Sequence, residues 1–338
     1  MYKGTIFILF LLLNLNSIAQ QRPGSIPMKA MVYNVENLFD TINDPLKDDE
    51  EFLPSAKKNW NGKRYAEKLK HISQVIAATG YPELIGLCEI ENKSVLDDLV
   101  KVDSLKPFAY QVVHFESPDE RGIDVGLLVQ SKSFKIIASR PYRVDLPGDK
   151  ARPTRDIVYA KLVFKRDTLH VFVNHWPSRR GGEQESEPNR MAAANTLRLL
   201  TDSLFTISSN AKILLLGDFN DYPTNKSLKD ILGASLSENL AKRTGFVNLV
   251  ALLMLQGQGS EVYQGQWTML INIIASTSLV KSSKGLKIGK AGILKKSFLL
   301  YKNEKKGTEE PNRTYGGDRY YGGYSDHLPV WVEMQWNK

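Results

Sequence analysis

Five short polar clusters in this 338-residue chain carry the side-chain types that metal-assisted cleavage of a phosphate ester would use: Asn34 to Asn37, Glu89 to Asn92, Asn174 with His175, Asp218 to Asp221, and Ser325 to His327. Such a reaction needs charge neutralisation at the phosphoryl oxygens, an activated water and a proton source for the leaving oxygen. Asn34, Glu89 and Asp326 offer hard oxygen donors suited to Mg2+ or Mn2+, with no thiolate cage. The carboxylates, amides and imidazoles of the five clusters together include every part required. For any one cluster alone a turn or a helix cap is the favoured reading, because Asp, Asn and Ser populate those places for conformational reasons. The case rests on five occurring together, each at the end of an apolar run.

Those runs define the elements that must position the clusters. Met28 to Asn34 reads as a strand ending in a polar loop, Tyr65 to Ala78 as a helix with apolar residues at Leu69, Ile72, Val75 and Ile76, Leu84 to Leu87 as a buried strand, and Val95 to Val100 as a second helix. From Tyr110 to Val173 successive extended runs predict an antiparallel meander. A helix is expected from Pro188 to about Phe205, then a strand Ile213 to Leu216 that delivers Asp218, and a final strand Pro329 to Met334 after the Ser325 to His327 loop. Between Lys281 and Lys306 lysines recur with almost no acid, which predicts a flexible basic excursion.

In order along the chain the motifs are TyrAsnValGluAsnLeuPhe at 33 to 39, GlyLeuCysGluIleGluAsn at 86 to 92, AsnHisTrpProSerArg at 174 to 179, GlyAspPheAsnAsp at 217 to 221 and SerAspHisLeuPro at 325 to 329. This series resembles the endonuclease/exonuclease/phosphatase superfamily, the deoxyribonuclease I-like proteins, over nearly the whole chain after residue 19. The resemblance implies an α/β fold, a four-layer sandwich of two packed mixed β-sheets flanked by helices, with a cleft along one edge. It implies Glu89 as principal metal ligand with Asn34 beside it and Asp326 ligating or orienting. Asp218 would orient or deprotonate the attacking water, Asn220 would hold that water or a phosphate oxygen, and His327 would donate to the developing charge on phosphorus. His175 sits where the deoxyribonuclease and sphingomyelinase branches carry a second histidine. Arg121, Asp124, Arg152 and Arg155 are candidates to line the cleft, since arginine forks match phosphate oxygens. Phe39, Trp176, Trp267 and Tyr324 are candidates for an aromatic rim, with core packing the alternative.

One position departs from the pattern. Family members carry an aspartate on a late strand that accepts a proton from the ring of the final histidine, and the matching stretch 267 to 276 holds Ile271 there. Losing an anionic partner and gaining an apolar neighbour both disfavour imidazolium. A deficit of ~10² to 10⁴ in rate is expected unless another group substitutes.

Bulk properties bound the alternatives. Lys3, the apolar run Ile6 to Leu13 and the small residues before Gln20 read as a signal peptide over 1–19, followed by one catalytic domain over 20–338 and a secreted or periplasmic location. The run is too short for a membrane anchor. Cys88 is the only cysteine, so no internal disulfide forms. The 45 basic residues exceed the 37 acidic ones, which favours an anionic partner, nucleic acid or another phosphodiester, and no protein partner is evident. Three functions follow: an exported nuclease, a phosphodiesterase or phosphatase for lipid or small-molecule phosphates, and a catalytically impaired phosphate-binding member.

Overall fold

The first alternation forms as its pattern predicts: β1 (Ile26–Leu38), α1 (Gly62–Ala78), β2 (Leu84–Ile90) and α2 (Lys93–Val100). Asn61 and Asn92 cap the two helices, their side chains accepting from Lys63 and Arg64 N–H and from Val95 N–H. The computed structural model describes residues 25–148, 152–242, 244–305 and 307–338. The expected export segment, 1–19, lies outside the described residues.

The extended runs that follow are β3 (Tyr110–His114), β4 (Asp124–Gln130), β5 (Lys135–Tyr142), β6 (Ile157–Phe164) and β7 (Asp167–His175). They do not make one meander. β3 and β4 pair with each other and β4 with β2, whereas β5, β6 and β7 open a second sheet. Burial explains the division: every residue of β4 is buried, as an interior strand covered on both faces requires, while β5 is largely exposed and forms an edge.

Next come α3 (Glu183–Ile207) and β8 (Ile213–Asp218). The helix begins ahead of Pro188, and Glu183 and Glu185 in its first turn favour the positive end of the dipole. Shorter pieces complete the chain: β9 (Ala234–Ser235), β10 (Phe246–Asn248), α4 (Ala251–Leu255), β11 (Glu261–Tyr263), β12 (Gln266–Thr268), β13 (Ile271–Ser276), α5 (Thr277–Val280), β14 (Gly285–Ile293), β15 (Leu300–Asn303), β16 (Thr308–Pro311), β17 (Tyr315–Gly316), β18 (Arg319–Tyr320) and the long β19 (Val330–Asn337). The lysine-rich stretch is therefore not a loose excursion. Its β14 pairs antiparallel with β19, burying Leu286, Ile288 and Ala291 while Lys290 faces out. Lysine spacing masked a period-2 apolar face.

Two mixed sheets result, one of six strands in the order β14-β19-β1-β2-β4-β3 and one of seven in the order β5-β6-β7-β8-β13-β10-β9. They pack face to face through residues such as Val32, Leu127, Val173, Leu214 and Ile273. α1 and α2 cover the six-stranded sheet through Ile72, Val75 and Leu96, and α3 covers the other through Ala194, Leu197 and Phe205. This is the expected four-layer α/β sandwich. Among the described residues no helix is long and apolar enough to cross a membrane.

Candidate active site

β1 and β2 are parallel neighbours in one sheet, and β7 and β8 are parallel neighbours in the other. Strands that run the same way end at the same edge, so the polar residues at their C-terminal ends converge. Within the second sheet the register sets His175 directly opposite Asp218. Across the sandwich the Asn34 side-chain amide donates to Glu89 Oε1 at 3.2 Å and to Asp218 Oδ2 at 3.1 Å, joining both sheets at one point.

Local backbone irregularity aims these groups. The β1–β2 and β2–β4 registers both shift around Glu89, and Glu89 holds φ 65°. Glu36, Asn37 and Asn220 share the positive-φ region, a cost of order 1 kcal/mol each that non-glycine residues carry where the surroundings fix them. Asn37 N–H donates to Glu89 Oε2, and Asn220 N–H donates to Asp218 Oδ1, each at 3.0 Å. Gly217 lets β8 approach β7: a Cβ there would lie 2.1 Å from the Asn174 carbonyl oxygen. Gly217→Ala is expected to destabilise the fold by about 3 kcal/mol through this backbone clash. A urea midpoint equal to that of the wild type would contradict the close approach.

The His327 loop is fastened from three sides. Ser325 Oγ donates to the Asn34 carbonyl and accepts from His327 N–H, and Leu328 N–H donates to the Ser260 carbonyl. The last bond leads to Glu261, the functional residue that sequence reasoning missed. His327 Nδ1 lies 3.3 Å from Glu261 Oε2. Glu261 is itself buried and fixed, its Oε1 accepting from Thr268 hydroxyl and Leu270 N–H and its Oε2 from Ser260 hydroxyl.

The expectation that Ile271 leaves His327 without an anionic partner is thus corrected. Ile271 does occupy the end of β13, opposite Asp218 and fully buried, but the carboxylate comes from β11, across the hairpin that β11 and β12 form. The neighbouring Asn272 turns the other way, donating to the Asp221 and Leu270 carbonyls. Glu261 precedes Ile271 in the chain and reaches His327 across the hairpin, not along β13. The hairpin turn at Gln264 and Gly265, both at positive φ, is the one local signal that folds this segment back.

The electrostatics follow from the geometry. Burial opposes charge on His327, but Asp326, Glu261 and Asp218 outweigh it and push its pKa up to about 10. Its Nε2 lies 3.8 Å from both Asp218 Oδ2 and Asp326 Oδ1, so the N–H faces a gap between two carboxylates. Burial and the nearby Asp326 raise Glu89 to about 7, and burial also raises Asp218. His175 moves the other way: burial, Arg155 and Arg121 hold it well below the usual imidazole range, and its buried Nδ1 has no partner. Asn34, Glu89 and Asp326 are hard oxygen donors of the kind a divalent cation takes, held meanwhile by Glu36 N–H, by the Asn34 amide and Asn37 N–H, and by Arg313 respectively.

The remaining candidates fall elsewhere. Arg155 is buried and its three guanidinium nitrogens are engaged, by the His175 carbonyl, Asp119 and the Trp176 carbonyl, so it buttresses the end of β7. Asp124 is buried beside His114, 3.3 Å away, and accepts from Ser117 N–H. Arg121 stays half exposed beside Asp119, and Arg152 is exposed beside Glu120. Phe39 stacks on Phe52 and Trp176 packs edge-on against Phe219 in the core, while Trp267 and Tyr324 remain partly exposed. Arg179 was also missed: it donates to the Asn220 carbonyl and to Asp221, securing the loop after β8.

Comparison with known proteins agrees with this layout. A model of the Endonuclease/Exonuclease/phosphatase family matches residues 29–336. An endonuclease/exonuclease/phosphatase family protein from Bacteroides thetaiotaomicron superposes with a TM-score of 0.58 at 14% identity, covering 93% of this chain and 99% of that one. D. rerio TDP2 complexed with a single-strand DNA product gives 0.55 at 13%, covering 91% and 98%. A mannosyl-6-phosphatase, also from Bacteroides thetaiotaomicron, gives 0.55 at 14%, covering 91% and 99%. Among curated proteins no match is found.

Proposed function

The chain belongs to the endonuclease/exonuclease/phosphatase family, and from that premise we propose that it is a divalent-metal-dependent phosphodiesterase, an exported nuclease acting on DNA or RNA. The observation that carries this reading is the Glu261–His327 pair, whose Nε2–H points between Asp218 and Asp326. It supplies the acid that the departure at Ile271 had put in question, so the reading of an impaired phosphate-binding member loses its support.

In this mechanism Asn34, Glu89 and Asp326 would hold Mg2+ or Mn2+, and the ion would neutralise charge on the phosphoryl oxygens. Asp218, fixed by Asn34 and by Asn220 N–H, orients the attacking water and takes its proton. Asn220, whose side-chain amide nitrogen donates to the Trp176 carbonyl, has its oxygen left to accept a hydrogen bond from that water. His327, held cationic by Glu261, donates Nε2–H to the oxygen on which negative charge develops. His175 stays neutral beside Asp218 and serves as a second hydrogen-bonding group for the phosphate. Arg121, half exposed and paired through Nε with Asp119, is the candidate arginine to meet an incoming phosphate with the rest of its guanidinium.

A polymer substrate is favoured by the net charge of +8 and by Lys295, whose ammonium sits 4.3 Å from the Trp267 ring centre on the hairpin that carries Glu261. That contact sets a basic and an aromatic group beside the cleft, as nucleic-acid backbones and bases use. A phosphatase for small phosphate esters is the second reading, because a similar structure is a mannosyl-6-phosphatase. Export is supported by the pattern of residues 1–19.

The test is a panel of plasmid DNA, RNA, sphingomyelin and sugar phosphates with Mg2+ or Mn2+, across a salt series. Turnover of nucleic acid that weakens steeply with salt is expected. Turnover confined to small esters and indifferent to salt would replace the nuclease reading with the second one.

A further inference from the structure

The connection between β3 and β4 gathers side chains of ligating type that the cleft does not use. Among the described residues, His114 at the end of β3, Glu116 just beyond it and Asp124 at the start of β4 each place a donor atom within 4.8 Å of the other two. Strand pairing brings them together: β3 and β4 run antiparallel with His114 opposite Gly126, so the two ends of the 115–123 loop lie side by side.

Two of the three groups are buried with polar atoms left over. The His114 and Asp124 side chains are each 2% exposed, and His114 Nε2 lies 3.3 Å from Asp124 Oδ2. Neither atom makes a hydrogen bond, although a ring N–H aimed at the carboxylate across that distance would do so. Orphaned buried atoms of this kind are costly unless a third group reaches them. Asp124 Oδ1 is already fixed, accepting from Ser117 N–H at 3.0 Å, which orients the carboxylate and leaves Oδ2 as its open ligand atom. The Nε2–Oδ2 separation matches the edge of a tetrahedron built on metal–ligand bonds of about 2.05 Å. Glu116 reaches the group from the solvent side, its carboxylate more than half exposed and 3.9 Å from His114 Nδ1. The nearby Lys47 offers no substitute cation, because its ammonium donates to the Ser117 and Asp119 carbonyls.

We propose that His114, Glu116 and Asp124 bind a transition-metal dication, Zn2+ by preference, at a site separate from Asn34, Glu89 and Asp326. One imidazole and two carboxylates make the mixed nitrogen and oxygen set that Zn2+ takes in four-coordinate form, with a water in the remaining position. The imidazole turns the choice away from Mg2+ and Ca2+, which bind through oxygen. The ion clamps both ends of the 115–123 loop, which carries Asp119, the partner of Arg155, and the half-exposed Arg121. No ligand is shared with the cleft, so binding here is independent of the reaction assigned there.

The experiment is calorimetric titration of the full chain with ZnCl2 in excess MgCl2, which keeps the hard-oxygen site filled. One Zn2+ per chain is expected, with affinity reduced about 10-fold or more by Glu116→Gln, an exposed position at which folding is not at risk, and abolished by His114→Gln. Glu89→Ala is expected to bind Zn2+ as the wild type does, which sets the ion outside the cleft. Co2+ in place of Zn2+ is expected to give the visible absorption of a four-coordinate site, lost in His114→Gln. No Zn2+ bound in the presence of Mg2+, an affinity unchanged by either substitution in the group, or binding lost in Glu89→Ala overturns the proposal.

Discussion

Glu89→Ala is expected to reduce metal-dependent turnover by on the order of 10³ or more, the several kcal/mol that a Lewis-acidic cation contributes at a phosphoryl group. Both carboxylate oxygens are committed in the structure, Oε1 to the Asn34 amide and Oε2 to Asn37 N–H. Removal therefore strips the central metal ligand and takes the acceptor from the part-buried Asn37 N–H and from the Asn34 amide, which keeps its bond to Asp218, adding about 1 kcal/mol of destabilisation. The two effects separate cleanly: circular dichroism and Tm report the second, and initial rates with saturating Mg2+ report the first. A folded Glu89→Ala protein that turns over at the wild-type rate would remove Glu89 from the site.

Glu261→Gln tests the less obvious half of the machinery, and a fall in kcat of about 10² to 10³ is expected, within the range for a positioned acid–base group. The amide keeps the shape and withdraws the charge. The pKa of His327 then falls from its raised value near 10, because burial acts on it with one anion fewer. A group protonated for catalysis and titrating at lower pH moves the alkaline limb of the kcat/KM profile downward, a signature that lost packing alone would not give. Glu261→Asp, which shortens the reach but retains the charge, is expected to recover part of the rate. Ile271→Asp, in contrast, is expected to bring no gain and to lower Tm, since it would bury a carboxylate directly opposite Asp218. An alkaline limb left in place by Glu261→Gln would show that His327 does not depend on it.

Much of this was readable from residues alone. The motif ends of β1, β2, β7 and β8 converge because parallel strands share an edge, so Asn34, Glu89, His175 and Asp218 needed only strand direction to be brought together. What escaped were features set by three-dimensional substitution and by burial. Glu261 precedes Ile271 along the chain and reaches His327 only because a hairpin doubles back, which periodicity does not encode. Arg155 has the composition of a phosphate ligand, yet the carbonyls at 175 and 176 and the Asp119 carboxylate engage all of its nitrogens. The lysines of β14 disguised a strand whose apolar face is carried by Leu286, Ile288 and Ala291. The single meander failed for a related reason: the runs were each extended, but whether a strand is interior or edge depends on what covers it.

Moving the acid from β13 to the hairpin has a consequence for the medium in which the reaction takes place. Ile271 lies under Asp218 as a hydrocarbon floor, fully buried in the inter-sheet core. An aspartate at that point would have brought its own hydration into the sandwich. With isoleucine there, the strand neighbour of the reacting carboxylate is hydrocarbon, and on that side the fields of Asp218 and the His327 cation act through poorly polarisable material. Fewer dipoles must reorient as charge shifts on the phosphate, so the residue that looks like a missing catalytic part helps to keep the cleft electrostatically stiff.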